Sequence, residues 1–168
     1  MAGTAVGRVA LFSIHPHYAR AILDGSKQVE FRRQGLPADV THVVIYATSP
    51  VQKVVGMFEV AGVDRMSPSQ AWKLHGRVGG IEKTAFQRYY TKAEHAFVIR
   101  ARNAQTFPTP FPLADLDENL RPPQSYVYLR DAALDRARVL AADPQPHEPV
   151  VRRLLTGLAS KVLAPAAR

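Results

Sequence analysis

Residues 22–33 read Ile22-Leu23-Asp24-Gly25-Ser26-Lys27-Gln28-Val29-Glu30-Phe31-Arg32-Arg33, and this stretch decides the fold. It opens on the apolar end of a helix. Pro16 suits the first turn of that helix and Gly25 the position just past its end. Between them Tyr18, Ile22 and Leu23 share one face. From Lys27 to Arg33 the period changes from helical to alternating. Val29 and Phe31 fall on one face of a strand, and Gln28, Glu30 and Arg32 on the other. Upstream, Arg8 to Ile14 is an apolar run suited to a buried strand. The opening unit is therefore strand, helix, strand.

Working outward, His42 to Ala47 and Lys53 to Val63 read as adjacent antiparallel strands around the turn at Thr48-Ser49-Pro50. Gly56 and Gly62 inside the second predict bends or bulges, as in a small barrel. Ser67-Pro68 opens a short helix through Leu74, and a second helix runs from about Ile81 to Tyr90. His95 to Arg102 is a fifth strand. Residues 107–112 (FPTPFP) are extended, residues 113–119 form an acidic loop, and Tyr126 to Leu129 closes the set. Six short strands with inserted helices predict an α+β fold built on a small β-barrel. Residues 8–130 form the predicted domain and residues 131–168 a helical extension. Within that extension 131–142 is helical, 143–149 a proline-broken linker, and 150–163 an amphipathic helix. Its apolar face suits packing back on the barrel, a second copy of the chain, or a protein partner.

The chain has 168 residues and no cysteine. A chain of that length buries about 70% of its unfolded surface and needs no staple. Disulfides, thiolate metal sites and a cysteine nucleophile are excluded. No apolar run approaches the ~20 residues of a membrane span, so the expectation is a cytoplasmic protein with no membrane partner. Lys+Arg is 22 against 14 Asp+Glu, a net charge of +8, and 16 of the 22 are arginine. Arginine makes forked contacts to phosphate, so the balance suits a polyanionic partner. No run of five like charges occurs, and any basic surface must be assembled by folding.

The charges of residues 27–33 leave two readings open. They sit on an exposed edge strand, solvated, or they line a cleft in which Arg32 meets phosphate while Glu30 holds it. In the cleft a desolvated Lys27 gains use as a base or nucleophile. Gly76-Arg77-Val78-Gly79 lies between two helices, as in backbone-clamping G-x-x-G loops. Tyr89-Tyr90 and Tyr126-Val127-Tyr128 offer either base-stacking faces or half-buried barrel residues. The six histidines lack metal-site spacing. No P-loop, dinucleotide fingerprint or G-x-S-x-G elbow occurs, and no cofactor or metal is expected.

The ordered set Ile22, Leu23, Gly25, Lys27, Glu30 and Arg32 resembles the ASCH domain signature, a helix ending in I-L-x-G-x-K followed by a strand carrying E-x-R. ASCH domains belong to the PUA-like superfamily. Further matches follow in order at Ile45 to Pro50, Val54-Val55-Gly56, Phe86 to Tyr90 and Arg121 to Tyr126. The resemblance implies a PUA-like barrel of five to six strands with flanking helices and a charged cleft beside the motif strand. It implies binding of RNA or single-stranded nucleic acid, with Lys27, Arg32, Arg33, Ser49, Tyr90, Gln124 and Ser125 as the contact set. Tyr90 would stack a base, and Gln124 and Ser125 would meet its edge. The alternative is an enzyme of the same cleft, with Lys27 and Glu30 catalytic. A metal-independent ribonuclease asks for a Lys or Tyr near the phosphate, which Lys27, Tyr46 and Tyr90 offer. Amidohydrolases of the superfamily that act on acetylated cytidine use a Lys, a Thr three residues on, and a distant Glu. Here Lys27 is followed by Glu30, and Val78-Gly79-Gly80 stands where the distant Glu is expected.

Overall fold

A computed structural model describes residues 7–130 and 132–142. The strands are β1 (Arg8–Ile14), β2 (Val29–Arg32), β3 (Val40–Ala47), β4 (Lys53–Met66), β5 (Ala96–Phe111) and β6 (Tyr126–Tyr128). The helices are α1 (Pro16–Leu23), α2 (Pro68–His75), α3 (Lys83–Tyr89), α4 (Leu113–Leu116) and α5 (Ala133–Ala142). One six-stranded sheet runs β2-β5-β4-β3-β1-β6. Among the described residues only β1 and β3 pair in parallel, and α1 and β2 supply the long crossover that a parallel pair needs.

The local signals act as expected. Pro16 occupies the first turn of α1, and Gly25 turns the chain at φ +82°. Ser67 and Gln70 form a reciprocal capping box on α2. Gly56 and Gly62 fall at register shifts between β4 and β5, and such irregularities bend a long ribbon. The sheet curls into a half-barrel and stops short of closure. Its two edges, β2 and β6, are joined by side chains in place of a backbone ladder: the Tyr126 hydroxyl donates to the Gly35 carbonyl at 3.2 Å, and Arg32 reaches Ser125.

Three apolar clusters hold this sheet. Phe12, Ile14, Ile22, Ile45 and Phe58 pack on the face covered by α1. Leu11, Phe107, Phe111, Leu113 and Leu134 pack on the face covered by α4 and α5. Val29, Phe31, Phe86 and Tyr90 join β2 and β5 to α2 and α3. Burying each large side chain contributes about 1.5–3 kcal/mol before entropy is counted.

Several boundaries differ from expectation. β2 is only four residues, so Lys27 and Arg33 flank it. β5 runs on to Phe111. Pro108 and Pro110 are accommodated because β2 pairs only with Phe97 to Arg100, leaving one edge of the later half free, and because both prolines fall between the paired residues Thr106 and Phe111. The expected acidic loop contains the helical turn α4, with Asp115 buried. Helix α5 packs Leu134, Ala137 and Ala141 into the same core as β1 and β5. Leaving α5 off would expose that cluster. The expected linker and amphipathic helix at 143–163 lie outside the described residues.

Candidate functional site

The turn after α1 sets the position of Lys27. Asp24 accepts hydrogen bonds from the Ser26 backbone N–H at 2.9 Å and the Ser26 hydroxyl at 2.6 Å. The Lys27 N–H then donates to the Ala21 carbonyl at 2.8 Å. Lys27 is thereby drawn under the helix and is 3% exposed. Its Nζ sits 5.4 Å from the ring centroids of both Tyr18 and Phe31, and donates to the Gly79 carbonyl. Glu30 Oε2 is 3.4 Å from Lys27 Nζ, and Glu30 Oε1 is 3.1 Å from Arg32 Nε. One carboxylate therefore bridges two buried cations.

Alternation along β2 holds, yet neither face is solvated. Val29 and Phe31 face α2 and α3, while Arg32 lies 4.3 Å over the Phe12 ring on the side of α1. The Arg32 guanidinium reaches the Ser125 carbonyl at 3.4 Å, the Ser125 hydroxyl at 3.3 Å and the Ser13 carbonyl at 3.4 Å. These contacts are long, and Arg32 Nε meets Glu30 as a charge without hydrogen-bond alignment. Ser13 Oγ, also on the cleft wall, has no hydrogen-bond partner. Buried polar atoms left unpaired are costly.

Burial pushes the Lys27 ammonium below its ordinary pKa, and Arg32 adds to that, while the Glu30 carboxylate opposes it. Burial and then Glu30 push Tyr18 up. The cleft itself has a volume of about 650 Å3 and opens between β2 and the segment leading into β6. Lys27, Glu30, Arg32, Arg33, Gln124 and Ser125 all line it.

Two predicted residues are not brought there. Ser49 stands exposed in the β3–β4 turn, outside the cleft lining. Tyr90 is 4% exposed, its hydroxyl donates to the Arg32 carbonyl at 2.9 Å, and its ring packs 4.7 Å from Phe86. It braces β2 and offers no stacking face. Tyr46 is buried in the cluster beneath α5. The tyrosines that line the cleft are Tyr18 and Tyr89; of the Tyr89-Tyr90 pair it is Tyr89 that faces it, and Tyr18 was expected only as part of the apolar face of α1. Tyr89 had a signal: Phe86 and Tyr90 are four apart and share the buried face of α3, which turns Tyr89 outward. Arg33 lies 4.9 Å over the Tyr89 ring and donates to the Tyr89 carbonyl.

The glycines near residue 79 serve packing. A Cβ on Gly79 would come 2.3 Å from Phe31 Cε2, and one on Gly80, at φ +61°, 2.9 Å from Lys27 Cβ. The stretch Val78-Gly79-Gly80 does meet Lys27, but it offers the Gly79 carbonyl and no carboxylate. The amidohydrolase set is therefore incomplete. Among the described residues no group of three or more His, Asp or Glu could hold a metal ion. No helix among them is long and apolar enough to cross a membrane.

Comparison with known proteins agrees with this geometry. The ASCH domain family model matches residues 12–105. An ASCH domain-containing ribonuclease of Zymomonas mobilis is 34% identical over 125 residues, covering 72% of this chain and 84% of its own. The crystal structure of ASCH from Zymomonas mobilis is similar at a TM-score of 0.72 and 31% identity, covering 79% of this chain and 94% of that one. A large ribosomal subunit protein uL22 of Ureaplasma parvum is 26% identical over 121 residues, spanning 71% of this chain and 39% of its own.

Proposed function

The chain belongs to the ASCH domain family, and from that premise we propose that its cleft binds single-stranded nucleic acid, RNA before DNA, one unstacked nucleotide lying between β2 and β6. The observation that carries this reading is the pair Lys27 and Arg32, two buried cations held by the single carboxylate Glu30 at the floor of an open cleft. The floor keeps one positive charge in excess, and Arg33 adds another at the rim. A phosphate entering there meets positive charge already in place. Tyr18 and Tyr89 supply faces for the base. Gln124 and Ser125 supply hydrogen-bonding groups for its edge. The ribonuclease activity of the Zymomonas relative supports RNA as the polymer.

The test is affinity for four homopolymer oligonucleotides at two salt concentrations. Arg33→Ala is expected to weaken binding for every sequence and to lower the salt slope by roughly 0.7. Tyr89→Ala is expected to cost about 1–3 kcal/mol with the slope unchanged. Wild-type protein with no salt-dependent affinity for any oligonucleotide ends the reading.

A second reading, ribonuclease activity, is favoured by the ribonuclease relative of Zymomonas mobilis and by the buried Lys27, 3.4 Å from Glu30 on the cleft floor, whose pKa burial depresses. In such a cleavage the 2′-hydroxyl loses its proton to a base as its oxygen attacks phosphorus, the bond to the 5′-oxygen breaks, and the departing oxygen takes up a proton. The products are a 2′,3′-cyclic phosphate and a 5′-hydroxyl. Lys27 would face the charge that builds on the phosphorane, with Glu30 holding it. Labelled RNA incubated with wild type and with Lys27→Met separates the readings: turnover lost in the variant supports catalysis, and intact RNA with wild type leaves binding alone.

A further inference from the structure

A second hollow of about 450 Å3 adjoins the cleft. Tyr18, Ile81 and Ala85 form a wall common to both. Each volume lies in the range of about 300–1,000 Å3 that accommodates a small organic ligand. On the outer side stand His17, Arg77, Gly80 and Glu82. Arg77 is exposed and has no hydrogen-bond or ion-pair partner among the described residues. An unpaired guanidinium beside a concave surface is suited to a phosphate group.

The junction between the two hollows is built from rings. The Tyr18 ring lies 3.8 Å from the His17 ring and 6.5 Å from the His15 ring, centroid to centroid. His15 lines the cleft and His17 the outer hollow, with their centroids 6.1 Å apart and their planes 25° from parallel. The shared wall places Tyr18 on the path from the cleft to the outer hollow.

We propose that the outer hollow is a second nucleotide subsite, so that the protein holds a two-nucleotide step with one nucleotide in the cleft, its neighbour against Arg77, and the linking phosphodiester over Tyr18. This rests on the single-strand reading above and deepens it. Arg77 meets the outer phosphate. Glu82, an acceptor on the same wall, suits an exocyclic amino group of the second base.

The test compares a ligand that fills one subsite with one that fills both. Affinities of the four nucleoside 5′-monophosphates and of an eight-residue single-stranded homopolymer RNA are measured for wild type, Arg77→Ala and Arg77→Glu. Arg77→Ala is expected to leave monophosphate affinity unchanged, to weaken the octamer about tenfold, and to lower its salt slope by roughly 0.7. Arg77→Glu is expected to weaken the octamer further. Because Arg77 is exposed and unpaired, thermal midpoints should match the wild type. Octamer affinity unchanged in both variants, or an equal loss for monophosphate and octamer, overturns the subsite. Wild type that binds neither ligand removes the single-strand reading itself, and the subsite with it.

Discussion

Two Glu–Arg pairs of this sheet have the same N–O separation and opposite character. Glu30 and Arg32 on β2 are 3.1 Å apart, as are Glu59 and Arg102 across β4 and β5. The first pair has side chains 12% and 10% exposed, the second 31% and 62%. Distance therefore does not rank them. An exposed pair is screened and its loss is nearly neutral. A buried pair was taken out of water at a cost, and what matters is the charge left behind when a partner goes. Around Glu30 two cations depend on one carboxylate, whereas Arg102 without Glu59 would simply be hydrated.

The comparison breaks most readily at Glu30. Glu30→Ala strands Lys27 and Arg32 together, and we predict a loss of about 3–5 kcal/mol in urea unfolding. A loss below about 1 kcal/mol would put this site in the same class as the outer ribbon. Replacing Lys27, Glu30 and Arg32 together by Met, Leu and Met is expected to recover most of that loss while abolishing oligonucleotide affinity. Such a result would sharpen the claim that the charges are kept for the ligand and not for the fold.

Next comes the wall that encloses the buried charges. Gly79→Ala drives a Cβ into Phe31, and the expected cost is about 1–3 kcal/mol by the same assay. An unchanged midpoint would mean that Phe31 can yield and that Lys27 is less enclosed than described. The pH dependence then tests the burial of Lys27 directly. Its folded pKa is depressed below 10.5, so the unfolded chain holds that proton to higher pH than the folded one. Folding releases a proton in that window, and this group's contribution to stability rises as pH climbs toward 10.5. Tyr18 and Tyr90, both raised by burial, act in the opposite sense near the same pH. The informative quantity is the difference between wild type and Lys27→Met, which should grow in favour of wild type as pH rises toward 10.5. Parallel curves would refute the depressed pKa. The smallest effect is expected at Glu59→Ala, within about 1 kcal/mol and vanishing in high salt. A larger loss there would erase the contrast.

Pro16, Gly25 and the alternation of residues 29–32 specify local geometry, so the opening unit and the composition of β2 were legible. Gly56 and Gly62 were legible as bulges because an isolated glycine in a strand has few other uses. Tyr90 and Ser49 were misplaced for a shared reason. A tyrosine at a helix end and a serine in a turn carry the right chemistry, but their direction depends on which face the rest of the chain covers. Tyr90 turned inward because Phe86, one helical turn before it, had already committed that face of α3 to β2. The reach of β5 through Pro108 and Pro110 depended on how little of it β2 would cover.

The sequence alone determined the order of the elements, the excess of arginine, and the spacing of Lys27, Glu30 and Arg32, because these follow from local backbone preference and composition. Only the tertiary structure decided that the three charges are buried, that β2 and β6 leave the sheet open above them, and that Arg77 stands unpaired one tyrosine away. Burial and proximity come from segments as far apart as Lys27 and Gly79 or Arg32 and Ser125, and no periodicity along the chain records which distant surface will cover a residue.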